Sequence, residues 1–152
     1  MRFEIKKRMR LKSFSLLEVM LSIGIVVIIS GIYIPVYLSY QHRNGLDIAV
    51  NSTVGTLRRA QSLARAVTGD RSWGVKIQNQ QVTLFRGTSY ALREPALDEN
   101  INLPTNVTAT TNEVVFSKFT GRAAGTGTTI TLVTSDNEQK NVNVNQEGTV
   151  NY

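Results

Sequence analysis

The sequence predicts an α+β protein in which a long N-terminal helix packs on a small antiparallel β-sheet head. Residues 19–38 form an uncharged apolar run, and residues 46–67 carry apolar or small side chains at steps of three and four, as an amphipathic helix does. From residue 72 onward the apolar period changes to two, in segments rich in Thr, Val and Asn. A helix that covers one face of an antiparallel sheet is a stable two-layer arrangement.

The apolar run is long enough to be predicted as a membrane-spanning helix. Its 20 residues would give about 30 Å of helix, the thickness of a bilayer core. Residues 1–13 carry six basic side chains and one acidic one, whereas residues 14–152 carry 11 basic and 10 acidic ones. Because Lys and Arg stay on the cytoplasmic side of a membrane segment, we expect the N-terminus inside and the C-terminal part outside.

Composition argues against several classes of function. The chain has no cysteine, which excludes disulfides, zinc–cysteine clusters and a thiol nucleophile. A nucleic-acid surface needs clustered positive charge, and residues 14–152 are nearly neutral. No catalytic constellation is visible, so we expect no enzyme activity, no cofactor, no metal and no nucleic-acid partner. A calcium site at Asp98 and Glu99 stays open, although two adjacent acids are also typical of a solvated turn.

The head, residues 69–152, is predicted to contain two β-hairpins and two further strands. Alternating segments predict strands over residues 73–77, 81–85, 113–119, 128–133, 141–144 and 149–152. Residues 90–103 are expected to be irregular because they lack alternation and contain a proline. Trp73 and Phe116 are expected in the core. The solvent face of the amphipathic helix is expected to carry Arg58, Arg59 and Arg65.

Glu18 is the feature that says most about function. It lies at the start of the apolar run, directly after the basic residues 1–13. A carboxylate at the edge of a membrane segment is costly unless a cation neutralises it, which indicates a missing partner. The alternative is that the side chain simply reaches the headgroups.

The residues around Glu18 resemble the prepilin-peptidase site of type IV pilins and type II secretion pseudopilins. The family pattern is Gly-Phe-Thr-Leu-Ile-Glu followed by a long apolar stretch with a proline, and the residues here are Ser13-Phe14-Ser15-Leu16-Leu17-Glu18 and Pro35. Glu18 is fifth and Pro35 twenty-second when Phe14 is counted as first, as in the family, whereas Ser13 replaces the usual glycine. Residues 57–77 and 113–152 resemble H-type minor pseudopilins and FimT-like minor pilins more weakly.

The resemblance implies a division of the chain and a set of partners. Residues 1–13 would be a cytoplasmic leader, cleaved between Ser13 and Phe14, after which the Phe14 amine would be N-methylated. Residues 14–38 would be the transmembrane and assembly helix, with Glu18 and Pro35 acting in assembly, and residues 39–68 the amphipathic half. Glu18 would pair with the Phe14 amine of a neighbouring subunit. The implied partners are the prepilin peptidase, other pilin or pseudopilin subunits, an inner-membrane assembly platform and, before assembly, membrane lipid.

The expected function is that of a structural subunit of a type IV pilus or a type II secretion pseudopilus. Such a subunit would lie in the bacterial inner membrane as a single-pass protein before it enters the fibre. Two alternatives remain open: a minor pilin in DNA uptake, and a single-span anchored binding domain that does not polymerise. Some FimT-like proteins use basic C-terminal residues for DNA, but residues 148–152 contain no Lys or Arg.

Cleavage between Ser13 and Phe14 gives the first testable prediction. In cells with an active prepilin peptidase, mass spectrometry is expected to find a mature chain that begins with an N-methylated Phe14. Cells without the peptidase should retain residues 1–13. A leader that persists in the presence of the active peptidase would contradict the family resemblance.

Overall fold

The computed structural model describes residues 14–152, and their side chains except those of residues 32, 34–36, 38, 39, 41 and 42. The predictions for the leader, for Ser13 and for the side chain of Pro35 lie outside this description. The chain divides into two compact units, an N-terminal unit Met1–Leu38 and a C-terminal unit Ser39–Tyr152.

The helical region α1 covers Leu16–Arg65 and is shared between the two units. Its start is capped by Ser15, whose Oγ accepts a hydrogen bond from the N–H of Glu18 at 3.2 Å. After α1, Val67 adopts a left-handed backbone conformation with φ 54°, and a short 3₁₀ turn follows over Thr68–Asp70.

Within residues 14–152 the chain forms eight β-strands. They are β1 Trp73–Gln78, β2 Gln81–Arg86, β3 Glu99–Asn102, β4 Val107–Ala109, β5 Asn112–Phe116, β6 Thr128–Thr134, β7 Gln139–Val144 and β8 Val150–Asn151. A second 3₁₀ turn, Pro95–Leu97, precedes β3. The strands make two four-stranded antiparallel sheets: sheet A in the order β3-β2-β1-β5, and sheet B in the order β4-β6-β7-β8.

Both predicted hairpins are confirmed. In the first, Gln78 faces Gln81 across the Asn79-Gln80 turn that joins β1 and β2. In the second, β6 and β7 pair as far as Val133 and Gln139, and Asn137 in the turn takes a left-handed φ of 61°. Asparagine tolerates this conformation better than most residues, which suits the tight turn.

The core of the C-terminal unit lies between α1 and both sheets. The α1 residues buried in it are Leu46, Ala49, Val50, Val54, Leu57, Ala60 and Ala64. Sheet A contributes Val75, Ile77 and Phe116, and sheet B contributes Ile130 and Val142 among others. Trp73 and Phe116 are buried and Arg58, Arg59 and Arg65 are exposed, as the sequence predicted.

The predicted fold class is wrong in its architecture. The strands form two four-stranded sheets instead of one small sheet, because β5 pairs with β1 and β6 pairs with β4 and β7, so no strand pairing within residues 14–152 joins the two hairpins. The predicted arrangement, in which one long helix has a membrane half and an amphipathic half packed on the head, is also wrong. The parts of α1 before and after the boundary between Leu38 and Ser39 belong to different compact units.

The predicted membrane span is also corrected. In the described part of the chain, no helix combines the length and the apolar character needed to cross a bilayer. The predictions of a transmembrane helix over residues 14–38 and of a single-pass inner-membrane location are therefore wrong.

Two phenylalanines in the same part of the chain provide a test of the core. Phe116 is 0% exposed, whereas Phe119 is 66% exposed. In urea unfolding of the full chain, Phe116→Ala is expected to lower the free energy of unfolding by about 3–5 kcal/mol, because it opens a cavity. Phe119→Ala should change it by less than about 0.5 kcal/mol. Equal losses for the two variants would contradict the placement of Phe116 in the core.

Candidate assembly segment and surfaces of the C-terminal unit

The start of α1 is built by a local capping motif. Ser15 caps the helix, and Glu18 occupies the third helical position, where its N–H binds the Ser15 hydroxyl oxygen. Serine followed three residues later by glutamate is a known start signal for helices. The signal is readable from residues 15–18, although it is not among the predictions made above. It places Glu18 in the first turn, close to the exposed Phe14.

The apolar segment, residues 16–31, exposes its large side chains. They are 45–79% exposed, and comprise Leu16, Leu17, Val19, Met20, Leu21, Ile23, Ile25, Val26, Val27, Ile28 and Ile29. They lie on all sides of the helix, whereas a helix that covers a core carries them in one stripe. A continuous apolar surface of this kind marks an interaction site.

Polar side chains within the apolar segment are mostly satisfied by the helix itself. The hydroxyl groups of Ser22 and Ser30 donate hydrogen bonds to the carbonyl oxygens of Glu18 and Val26, each at 2.7 Å. Within residues 14–31, no described donor or cation contacts the Glu18 carboxylate. The Glu18 side chain is also exposed.

In the C-terminal unit, eight of the eleven basic side chains form ion pairs with carboxylates. The ion pairs are Arg43–Glu138, Arg59–Glu99, Lys76–Glu113, Arg86–Glu94, Arg93–Asp98, Lys118–Asp70, Arg122–Glu147 and Lys140–Asp47. Each exposed pair contributes at most about 1 kcal/mol to stability. Together these ion pairs affect the electrostatic potential of the surface. They interrupt the clusters of positive charge through which a protein binds the phosphate backbone of nucleic acid.

The two acids considered for calcium face arginines of their own chain. Asp98 accepts a hydrogen bond from Arg93 Nε at 2.7 Å, and Glu99 accepts one from Arg59 Nη1 at 2.6 Å. Among the described residues, no group of three or more His, Asp or Glu side chains is placed to hold a metal ion. The loop is therefore held by ion pairs, and is not the simple solvated turn that the sequence also allowed.

Tyr90 organises the loop between β2 and β3. The Arg93 guanidinium lies 3.9 Å from the centre of the Tyr90 ring, and Phe85 meets the same ring edge-on at 5.5 Å. The Tyr90 N–H donates to Glu113 at 2.8 Å.

Two ion pairs near this loop shift the pKa of one of their members. The hydrogen bond to Asp98 raises the pKa of Arg93, and the hydrogen bond from Arg86 lowers the pKa of Glu94.

Backbone strain is concentrated where α1 ends. Val67, Asp70 and Phe119 have φ values of 54°, 53° and 69°, in the left-handed region that is unfavourable for residues with a side chain. Each costs roughly 1–2 kcal/mol relative to an ordinary conformation. The Phe119 N–H donates to the carbonyl of Ala64 at 3.1 Å, and Lys118 pairs with Asp70 at 3.0 Å. These contacts join the loop after β5 to the end of the helix.

A cleft lies between α1 and sheet A. It has a volume of about 240 Å³ and is lined by Asn51, Ser52, Gly55, Thr56, Arg59, Leu84 and Ile101. Leu84 and Ile101 are its apolar side chains. At Gly55 an added Cβ would meet no atom within 4 Å, so the helix surface there is open. We call this the helix cleft.

The Arg86–Glu94 pair predicts a stability change at acid pH. Because the folded state lowers the pKa of Glu94, the pair stabilises the fold above the ordinary glutamate pKa, and this contribution is lost as the pH falls through the lowered value. Glu94→Gln is expected to reduce the loss of unfolding free energy between about pH 5 and about pH 3, as measured by urea unfolding. Thr88→Ala, at an exposed position in the same loop, should keep the original slope. An unchanged slope in Glu94→Gln would contradict the assignment.

Comparisons with known proteins add no family assignment: no family model, curated protein or solved structure matches the chain. The likeness of residues 13–18 and Pro35 to the pilin pattern therefore remains a resemblance of a short motif. The function of the chain is therefore proposed from that motif together with the geometry of the described residues.

Proposed function

We propose that the chain is a structural subunit of a type IV pilus or a type II secretion pseudopilus, and that it assembles through its N-terminal helical segment. The observation that carries the proposal is the apolar segment, whose large side chains are exposed on all sides and whose Glu18 has no partner among the described residues. The motif around Ser13, Phe14 and Glu18 supplies the second support, because it resembles the substrate of a prepilin peptidase.

The exposed side chains supply a driving force for assembly. Burial of apolar surface stabilises an assembly by about 25 cal/mol for each Å² removed from water. Equivalent helices of neighbouring subunits can cover one another on all sides when they form the centre of a fibre. Ser22 and Ser30 do not oppose such packing, because their hydroxyl groups already donate to the helix backbone.

Glu18 gives the assembly its register. Cleavage after Ser13 would free the amine of Phe14, which is cationic at neutral pH. In an apolar environment a carboxylate and an amine of neighbouring subunits attract strongly, and either charge left alone is costly. Copies that are out of register would bury Glu18 without a cation, so the pair would select one arrangement.

Neither alternative function is favoured by a specific observation. DNA uptake would need a large cluster of unmatched positive charge, and eight of the eleven basic side chains of the C-terminal unit are in ion pairs. A single-span anchored binding domain would need a membrane span, which the described residues do not provide.

Replacement of Glu18 tests the proposal. Glu18→Ala is expected to leave the C-terminal unit folded and the leader cleaved, but to reduce incorporation into sheared fibres at least tenfold, because the buried cation would lose its partner. Glu18→Gln should behave in the same way, since it keeps the shape of the side chain and removes its charge. Incorporation is measured by immunoblot of the fibre fraction against total cell protein.

Ser15→Ala is the matched control, because it removes the helix cap and keeps the carboxylate. It should cost about 1 kcal/mol of helix stability and leave most of the incorporation intact. Normal fibre entry of Glu18→Ala would contradict the pairing role. Equal defects in Ser15→Ala and Glu18→Ala would show that Glu18 acts only through the helix start.

A further inference from the structure

The edges of the two sheets differ in how far the chain itself closes them. The outer edge of β5 is covered, because the Ala124 N–H donates to the carbonyl of Val115 at 2.8 Å. The outer edge of β4 is also closed, since the N–H of Ala109 donates to the carbonyl of Asn79 at 3.0 Å. Sheet B ends on its other side in β8, which has two residues. In the described chain, the outer edge of the four-residue strand β3 has no such backbone cover.

The register of β3 identifies its unpaired backbone groups. Leu103, directly after β3, donates its N–H to the carbonyl of Gln80 at 2.9 Å, and the pairing with β2 continues without a bulge along β3. Successive residues of an antiparallel strand direct their N–H and C=O groups alternately to its two sides, so Asn100 and Asn102 direct theirs away from β2. Both asparagines are exposed, and their free donors and acceptors repeat at a spacing of about 7 Å.

Side chains on both faces of sheet A hold β3 in place. On one face the Thr83 hydroxyl donates to Asn100 Oδ1 at 2.8 Å, and on the other Arg59 of α1 donates to Glu99 at 2.6 Å. Exposed edge strands are commonly protected by lysine, proline or a bulge, and the sequence Glu-Asn-Ile-Asn of β3 has none of these. The open edge is therefore both fixed and accessible.

The helix cleft lies beside this open edge, because Ile101 of β3 is one of its lining residues. A strand added outside β3 would direct every second side chain toward α1, and so toward the helix cleft. Within the described residues, the side chains of Asn51 and Ser52 make no hydrogen bond, and a Cβ at Gly55 would meet no atom within 4 Å. This lining suits small side chains and those that carry a hydroxyl group.

We propose that the edge of β3 and the helix cleft together bind an extended segment of a partner protein, which adds to sheet A as a fifth strand. The free groups of Asn100 and Asn102 indicate this occupant, because an extended main chain offers donors and acceptors at the same spacing. Main-chain hydrogen bonds supply the affinity, and the helix cleft selects Ser, Thr or Val at alternate positions. The site belongs to the C-terminal unit and does not depend on the proposed function.

Peptide binding to the full chain, in a mild detergent, tests this site. Heptapeptides are selected from a phage-displayed library, and those that still bind Asn102→Pro are discarded, because this variant lacks one free N–H of the edge. Proline is tolerated where the N–H of an edge strand faces solvent, so the variant should fold. Failure to obtain any heptapeptide that distinguishes the two proteins would overturn the proposal.

N-methylation of a selected peptide tests the main-chain contact on the unaltered protein. One form carries N-methyl groups at its odd positions and the other at its even positions, and affinity is measured by fluorescence polarisation. One form should bind at least tenfold more weakly and the other nearly as well as the parent peptide, because only one edge of a bound strand faces β3. Full affinity of both forms would overturn the proposal.

Hydrogen exchange locates the bound strand. With the selected peptide at saturation, the amides of Asn100 and Asn102 are expected to exchange at least tenfold more slowly. Asn141 is the matched control, because its N–H points out of the edge of β7 beyond the end of β8. Unchanged exchange at Asn100 and Asn102, or equal protection of Asn141, would overturn the proposal.

A pair of leucine substitutions on α1 tests the helix cleft. Gly55→Leu should fill it and weaken peptide binding at least tenfold, while the Tm stays equal or rises because leucine favours a helix more than glycine does. Ser62→Leu, at another exposed position of α1, adds the same side chain about two turns away and should keep the affinity. Equal affinities of the two variants would contradict binding in the helix cleft.

Sedimentation of the full chain in the same detergent distinguishes a partner protein from a second copy. The sedimenting mass of the unaltered chain and of Asn102→Pro is expected to be the same. A dimer that forms only in the unaltered chain would assign the edge of β3 to a second copy and overturn the proposed partner.

Discussion

The packing of α1 between two sheets is the contact on which the C-terminal unit depends. The two sheets are built from separate hairpins, so the helix supplies the surface on which both of their inner faces are buried. Ala49, Ala60 and Ala64 are fully buried, and their small side chains let the strands approach the helix closely. The same packing leaves the helix cleft open between α1 and sheet A, and fixes the helix end to which the loop with Phe119 is bound.

The hairpins were predictable because their information is local. Segments such as β1 and β2 alternate apolar and polar residues and are separated by a short polar turn. The edge strands β3 and β4 were not predictable in the same way: β3 holds one apolar residue, Ile101, and β4 is three residues long. They exist because β2 and β6 offer unpaired backbone groups, and short edge strands commonly depend on such tertiary pairing. No sequence pattern indicates that β5 and β6 belong to different sheets, which is why one small sheet was expected where two are found.

The candidate sites also combine features that local sequence predicts with features that depend on the folded chain. Glu18 and its position relative to Phe14 were readable from the sequence, and so was the cap signal at Ser15. The left-handed conformation of Phe119 was not readable, because it depends on a hydrogen bond to a distant helix end. The ion pairs of the C-terminal unit are similar, since Lys140 and Asp47 meet only after the chain has folded. A near-neutral composition predicted little attraction for nucleic acid, but it could not predict which eight of the eleven basic side chains in residues 39–152 would pair with a carboxylate.

The serine cap at the start of α1 has an electrostatic consequence for the predicted cleavage. Because Ser15 lies after the scissile bond, the helix start does not depend on the leader, and a new amine at Phe14 would arise directly beside it. The unpaired N–H groups there carry about half a positive charge. The amine would thus be created next to the positive end of its own helix, which repels it, while Glu18 in the first turn partly offsets that repulsion.

The electrostatic energy of the amine would therefore be less favourable in an isolated processed copy than in one whose amine faces the carboxylate of a neighbour. Removal of the leader would then act as a switch that makes association more favourable than the separate state.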